Sequence, residues 1–313
     1  MGYALRRLGQ GVLVLWAAFT VAFVLLQALP GDAIMNRFMN PDLGLTPHQI
    51  DQLRQAYGQG SPLWQQYLHT IGSFLTGNLG DSLENGTPIS TLVATALPST
   101  ALLAAFGLLF AVILALGIAF LSSLVRFRWL RDLLQSLPSL FIAVPVFWLG
   151  IVLIQVFSFQ LRLVPIIDAG PVQSLILPVA TVAIPISAPL AQVLVRSIDE
   201  TRLSGFVAVA TARGAGPARI LVRDIARNAI LPAVTLAGLV FGELMGSAIV
   251  TETVYGRNGI GRLTEAAVAS QDAPVVEAIV ILSALVYVLI NLIVDLLYPL
   301  IDPRLARRTG RPA

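Results

Sequence analysis

The sequence predicts an all-α integral membrane protein with six transmembrane helices and both termini in the cytoplasm. Three observations carry that expectation. Six apolar stretches, near residues 9–29, 99–122, 134–157, 174–196, 230–251 and 275–300, each hold about 20 residues or more, the length that crosses about 30 Å of hydrocarbon. The composition is 56% hydrophobic and only 12% charged, with a mean hydropathy of +0.82. The basic residues, all 20 of them arginine, are unevenly divided between alternate connections.

Fifteen arginines fall in one set of segments: Arg6 and Arg7, the second-to-third connection (Arg126, Arg128, Arg131), the fourth-to-fifth connection (Arg196 through Arg227) and the tail (Arg304, Arg307, Arg308, Arg311). Only Arg37, Arg54, Arg162, Arg257 and Arg262 fall in the other set. Positive charge is retained on the cytoplasmic side, so both termini are assigned there, as an even number of crossings also demands. The net charge of +3 expresses this bias and requires no nucleic-acid partner.

Segment 1–29 is read as an N-terminal cytoplasmic segment and a retained first helix. Its apolar core is too long for a signal peptide, and Leu29-Pro30-Gly31-Asp32 is not a small-x-small cleavage site. Residues 30–98 differ in character, rich in Gly, Pro, Asn and Gln with more acid than base, and read as an extracytoplasmic loop domain. Thr46-Pro47 marks a helix start there, with Thr46 as cap and Pro47 at the first position, running to Tyr57. Leu63, Tyr67, Leu68, Ile71 and Leu75 then recur at helical spacing, and Gly77 to Ser82 reads as a turn. Residues 99–300 form the five-helix core, and 301–313 a cytoplasmic tail.

The connection 197–229 is the unusual part of that core. An Ala-rich helix through Ala210 and Ala212 stops at Arg213-Gly214, and Gly216-Pro217 restarts a short helix with Pro217 at its first position. Arg219, Arg223 and Arg227 follow at four-residue intervals on one face. The residues allow two readings: a basic helix lying on anionic headgroups, or a docking helix for a cytoplasmic protein.

Five ordered motifs then carry a resemblance over almost the whole chain. Leu29-Pro30-Gly31-Asp32 closes the first span. Gly77-Asn78-Leu79-Gly80-Asp81-Ser82 is followed by Thr87-Pro88-Ile89 and Leu97-Pro98-Ser99-Thr100. Ala210-Thr211-Ala212-Arg213-Gly214 precedes Arg227-Asn228-Ala229-Ile230-Leu231-Pro232. Gly246 to Tyr255 leads to Gly259-Ile260-Gly261-Arg262-Leu263. Asn291 to Tyr298 ends with Asp302-Pro303-Arg304. Together these resemble the ABC-transporter permeases of the dipeptide/oligopeptide/nickel importer family, the subunit with a large first outer loop. Two positions depart from the family pattern: Gly205-Phe206 stands where an acid and a tyrosine are usual, and Asn258 where proline is usual.

The resemblance implies a type I ABC importer permease fold in a bacterial inner membrane. It implies a second homologous permease, ATPase subunits docked on Ala210, Ala212, Arg213, Gly214, Pro217, Arg219 and Arg223, and an extracytoplasmic solute-binding protein. The cargo it implies is a di- or oligopeptide, with nickel or metallophore complexes, glutathione and oligosaccharides as alternatives. No cofactor is expected on this chain; ATP and Mg would be bound by the partner ATPase. The chain contains no lysine, so a Walker A site is impossible and no catalytic residue is assigned.

Within the spans, Gly238, Gly242 and Gly246 recur every four residues, a smooth stripe suited to close helix packing, either between subunits or inside this one. Glu243 is placed off lipid, because a carboxylate at the bilayer centre costs at least ~2.5 kcal/mol, and it is read as protonated, paired or, as a candidate pathway residue, lining the pathway. Glu252, near the outer end of the fifth span, either receives a cationic cargo group or pairs with Arg257 or Arg262 in a gate. Asp295, one turn from Asn291, reads as a polar clamp between helices or a pathway residue. Pro138, Pro145, Pro178, Pro185 and Pro189 are expected to bend the third and fourth spans. His48 and His69 lack partners at metal-ligand spacing, so no metal site is expected. The competing class is an ion-coupled secondary transporter using Glu243 and Asp295 as a relay.

Overall fold

The computed structural model describes residues 2–28, 62–166 and 170–301. The helix expected from Thr46, the Leu29 to Asp32 motif and the arginines of the tail lie outside them. The described residues are helical, apart from turns and an isolated antiparallel bridge between Asp81 and Pro88.

Eleven α-helical stretches are described: α1 (Gly2–Ala28), α2 (Leu63–Leu75), α3 (Ile89–Leu124), α4 (Arg128–Ala143), α5 (Val146–Leu153), α6 (Gln173–Arg202), α7 (Gly205–Ala212), α8 (Pro217–Arg219), α9 (Ala226–Val254), α10 (Ile260–Ala269) and α11 (Ala273–Ile301). Two π-helical segments, Ile154–Gln160 and Ile220–Ile225, extend α5 and join α8 to α9. Among the described residues, four helices are long and apolar enough to cross a membrane: Arg7–Leu25 of α1, α3, α6 and Ala273–Ile293 of α11. Two bent pairs, α4 with Val146–Gln160 and the two halves of α9, bring the number to six if each pair is one crossing.

The prolines act unequally. The third apolar stretch breaks by 106° between Ala143 and Val146. Pro145 has no N–H to donate and sterically bars Val144 from helical geometry, and Val144 is extended at φ −89°, ψ 121°. In α6, by contrast, Pro178, Pro185 and Pro189 all lie inside one uninterrupted 30-residue helix. That helix is the most enclosed of the four intact candidates, with 67% of its most apolar window buried against 11–33% for the others. The fifth stretch bends by 52° between Gly238 and Gly242.

The chain divides into two compact units, one comprising residues up to Pro98 with Asn258–Val288, the other Ser99–Arg257 with Leu289 onward. In the first, Ile89, Val93 and Ala96 of α3 bury against Ile260 and Ala267 of α10 and Val275, Ala278 and Ile279 of α11. The turn before α3 is pinned by Asp272, which is 2% exposed. Its carboxylate accepts from Ser82 Oγ at 2.5 Å, Leu83 N at 3.2 Å and Glu84 N at 3.3 Å. In the second unit α6 is central, packed most extensively on α9 and then on α4. Gly107 lets α3 approach α6 closely: a Cβ there would lie 3.1 Å from Val182 Cγ1.

Candidate coupling and gating sites

The segment before α9 is an exposed helical elbow. Ser204 is extended and begins α7, and the chain reverses at Gly214, whose φ of +79° strongly favours glycine. The reversal has the hydrogen bonds of a Schellman cap, with Ala215 N donating to Ala210 O at 3.1 Å and Gly214 N to Thr211 O at 2.9 Å. Gly216 is extended and Pro217 takes the first helical position, as its missing N–H and fixed φ favour. The helix that Pro217 starts does not end as a separate short piece. It winds through the π-helical segment Ile220–Ile225 and continues without interruption into α9.

Burial explains this continuity. Ile220, Leu221, Ile225, Ala226 and Ala229 are buried, while Arg219, Val222, Arg223 and Arg227 are exposed. The segment therefore presents arginines outward while its aliphatic side is held in the unit. Ala212, Arg213, Gly214 and Pro217 are exposed and Ala210 is half-buried. Phe206 and Val209 of α7 are exposed apolar residues on the same elbow.

The opposite end of α9 is built differently. Glu252, in its last turn, is 0% exposed. One carboxylate oxygen accepts from Thr100 Oγ1 of α3 at 2.6 Å, and its backbone carbonyl accepts from Arg257 N at 2.8 Å. The Arg257 guanidinium donates from Nη1 to Ser174 O of α6 and from Nη2 to Ser99 Oγ of α3, each at 3.1 Å. Burial pulls the Arg257 pKa down and the charge of Glu252 opposes that fall. Arg262, the other base weighed for Glu252, donates to Asn258 Oδ1 at 3.2 Å.

Between them, the Tyr255 hydroxyl lies 2.9 Å from Thr181 Oγ1 of α6 and donates to Gly150 O of α5 at 3.3 Å. Gly150 makes room for this contact: a Cβ there would lie 3.2 Å from Val254 Cγ1 and 3.5 Å from both Thr181 and Tyr255. Glu252, Tyr255 and Arg257 thus tie the end of α9 to α3, α5 and α6. Sequence reasoning weighed Glu252 with Arg257 or Arg262 and quoted motifs containing Ser99, Thr100 and Tyr255, but assigned neither those three nor Thr181 to a site. The bonded pairs are 74 to 158 residues apart in the chain, and no local pattern announces which residue meets which.

The remaining candidates do not gather at either end. Gly238 is buried, whereas Gly242, Glu243 and Gly246 are exposed, and a Cβ at Gly246 would meet nothing within 4 Å. Asn291 is half-buried in α11; the side chain of Asp295 lies outside those described. His69 is exposed on α2, and His48 lies outside the described residues. At the far end of α6, Asp199 lies 3.5 Å from Arg131 of α4 and 3.9 Å from Arg202, which donates to Ser123 O at 2.6 Å. A cleft of about 480 Å³ opens beside this cluster, lined by Gln135, Pro138, Gln192, Val195, Asp199 and Leu203 among others.

An all-helical chain with several membrane-length helices, whose fifth apolar stretch grows out of an exposed helical elbow, has the fold of a type I ABC importer permease. A chain of the MetNI methionine ABC transporter, solved in inward facing conformations, superposes with a TM-score of 0.58 at 17% identity, covering 69% of this chain and 98% of that one. The chain belongs to the family of binding-protein-dependent transport system inner membrane components, whose description matches residues 107–307. It is 32% identical to the glutathione transport system permease protein GsiC of Escherichia coli O6:H1 (strain CFT073) over 303 residues, covering 97% of this chain and 98% of the relative. It is also 32% identical to a probable peptide ABC transporter permease protein, y4tP, of Sinorhizobium fredii, covering 97% and 98%. The protein is thus an ABC importer permease subunit, a transporter component rather than an enzyme, within the dipeptide/oligopeptide/nickel branch.

Proposed function

We propose that this subunit forms half of the translocation pathway for short peptides, glutathione being one such peptide, in a bacterial inner membrane. Both termini and the elbow face the cytoplasm, and residues 30–98 face the opposite side. The full-length similarity to a glutathione permease and a probable peptide permease supports the cargo class. The arginine asymmetry supports the orientation.

The elbow is the docking surface for a separate ATPase. The continuity of its Pro217 helix with α9 is the observation that carries this assignment: a push on Arg219 and Arg223 reaches the fifth crossing along unbroken helix. ATP binding and hydrolysis in the partner then switch the subunit between two arrangements, as rigid-body transitions do in general. A solute-binding protein delivers cargo at the opposite face. Gly242 and Gly246, exposed on this chain, pack against a second permease, and Glu243 beside them lines the shared pathway. Glu252, Tyr255 and Arg257 form the gate end of the same helix.

Reconstitution tests this reading. The chain alone in vesicles should accumulate nothing. With companion permease, ATPase and binding protein, it should take up glutathione or dipeptides in an ATP-dependent, vanadate-sensitive manner. Accumulation by the chain alone, driven by a proton gradient, would overturn it.

A further inference from the structure

Helix α2 (Leu63–Leu75) contains no Asp, Glu, Lys or Arg, and its residues sort into three arcs. Tyr67 and Phe74 face α1. The Tyr67 hydroxyl lies 2.8 Å from Thr20 Oγ1, and the rings of Tyr67 and Phe74 pack on Phe19, with Tyr67 also against Phe23. Gln65 and His69 are exposed on a polar arc. Between these arcs, at i, i+4 and i+11, lie Trp64, Leu68 and Leu75, which are 61%, 56% and 83% exposed.

The neighbour of α2 identifies the medium around that third arc. Phe19, Thr20 and Phe23 belong to the stretch Arg7–Leu25, apolar enough to cross a membrane, and they lie within it rather than beyond its end. At the same level α1 exposes Val21, Val24 and Leu25. A helix held beside these residues is held at the depth of the bilayer, not above it. Its composition fits: an apolar body, a polar arc and a tryptophan on the apolar side are the makings of a helix lying in an interface.

We propose that α2 is seated in the membrane interface, with Trp64, Leu68 and Leu75 in the acyl region of the leaflet beside the C-terminal half of α1, and Gln65 and His69 in the headgroup layer. The partner is the lipid surface itself. The segment read from sequence as part of an extracytoplasmic cap is then a membrane-embedded brace for the first crossing. The proposal depends on α1 being a crossing and not on the cargo or the ATPase.

The chain has no cysteine, so single-cysteine variants report cleanly. In the assembled complex in open membrane fragments, a membrane-impermeant maleimide should label Gln65→Cys and His69→Cys, and spare Leu68→Cys and Leu75→Cys until detergent is added. Leu68→Cys labelling as fast as His69→Cys would place that face in water and overturn the proposal. A second measurement separates lipid from protein cover. With Trp16, Trp129 and Trp148 changed to Phe, Trp64 fluorescence should be strongly quenched in vesicles of brominated phosphatidylcholine and little affected by aqueous iodide. A Trp64 quenched by neither would be covered by a protein partner, which also overturns it.

Discussion

The two ends of α9 differ in almost every physical respect. At its N-terminal end the polar groups point outward: Arg219, Arg223 and Arg227 are exposed, and only the aliphatic side chains of Ile220, Leu221 and Ile225 are held inside. At its C-terminal end the polar groups point inward. Glu252 is fully buried and Arg257 half-buried, and with Tyr255 they bond to three other helices. An exposed arginine in water contributes little to stability and remains available to another protein. A buried carboxylate stabilises the structure only while its hydrogen bonds and countercharge are all in place. One end leaves its charges in contact with solvent, and the other uses its polar groups to tie neighbouring helices together.

Substitutions at the buried end should cost the most stability. Glu252→Ala removes the carboxylate that accepts from Thr100 and the negative charge that opposes the fall in the Arg257 pKa; losing a buried hydrogen bond to a charged group costs up to about 3 kcal/mol. The purified complex should show a large drop in its unfolding midpoint, and Glu252→Gln a smaller one, because the amide still accepts from Thr100. Equal stability of Glu252→Ala and the parent would mean that the buried network is not what holds this end.

Gly150→Leu comes next. A side chain at a position where even a Cβ meets Val254 and Thr181 overpacks the site, at a cost of roughly 1–3 kcal/mol. Thermal unfolding should rank it below Glu252→Ala in severity. Tyr255→Phe keeps the ring and removes one hydroxyl shared between Thr181 and Gly150, so a loss of about 1 kcal/mol is expected. If uptake falls in Tyr255→Phe far more than stability does, the gate assignment gains weight.

At the other end the order reverses between stability and activity. The double substitution Arg219→Glu, Arg223→Glu touches exposed side chains and should change stability by no more than about 0.5 kcal/mol. ATP-driven uptake should nevertheless be lost while the variant still inserts in the membrane. Full transport by this variant would remove the docking role from the arginine face. The mildest test is Gly242→Leu on an exposed face: intact folding with lost co-purification of the companion permease is the expected result.

Much of this was legible in the chain because bilayer thickness converts a local property, the length of an apolar run, into a structural element. The helix stop at Gly214 and the restart at Pro217 were legible for a similar reason, since both follow from what those residues do to their own backbone. The prolines show where local reasoning fails. Pro145 broke its helix, whereas Pro178, Pro185 and Pro189 sit in one continuous helix enclosed by its neighbours. The π-helical winding at Ile220–Ile225 was also illegible, because it follows from which side chains must be buried together.

The helical class, the membrane setting and the place of the elbow could be read from the chain, because each depends on composition or on a residue's own backbone preference. That Glu252 meets Thr100, that Tyr255 rests on Gly150 and that α2 lies against α1 came from the folded structure alone. Those pairings join residues far apart in the chain, and packing in three dimensions is what selects them.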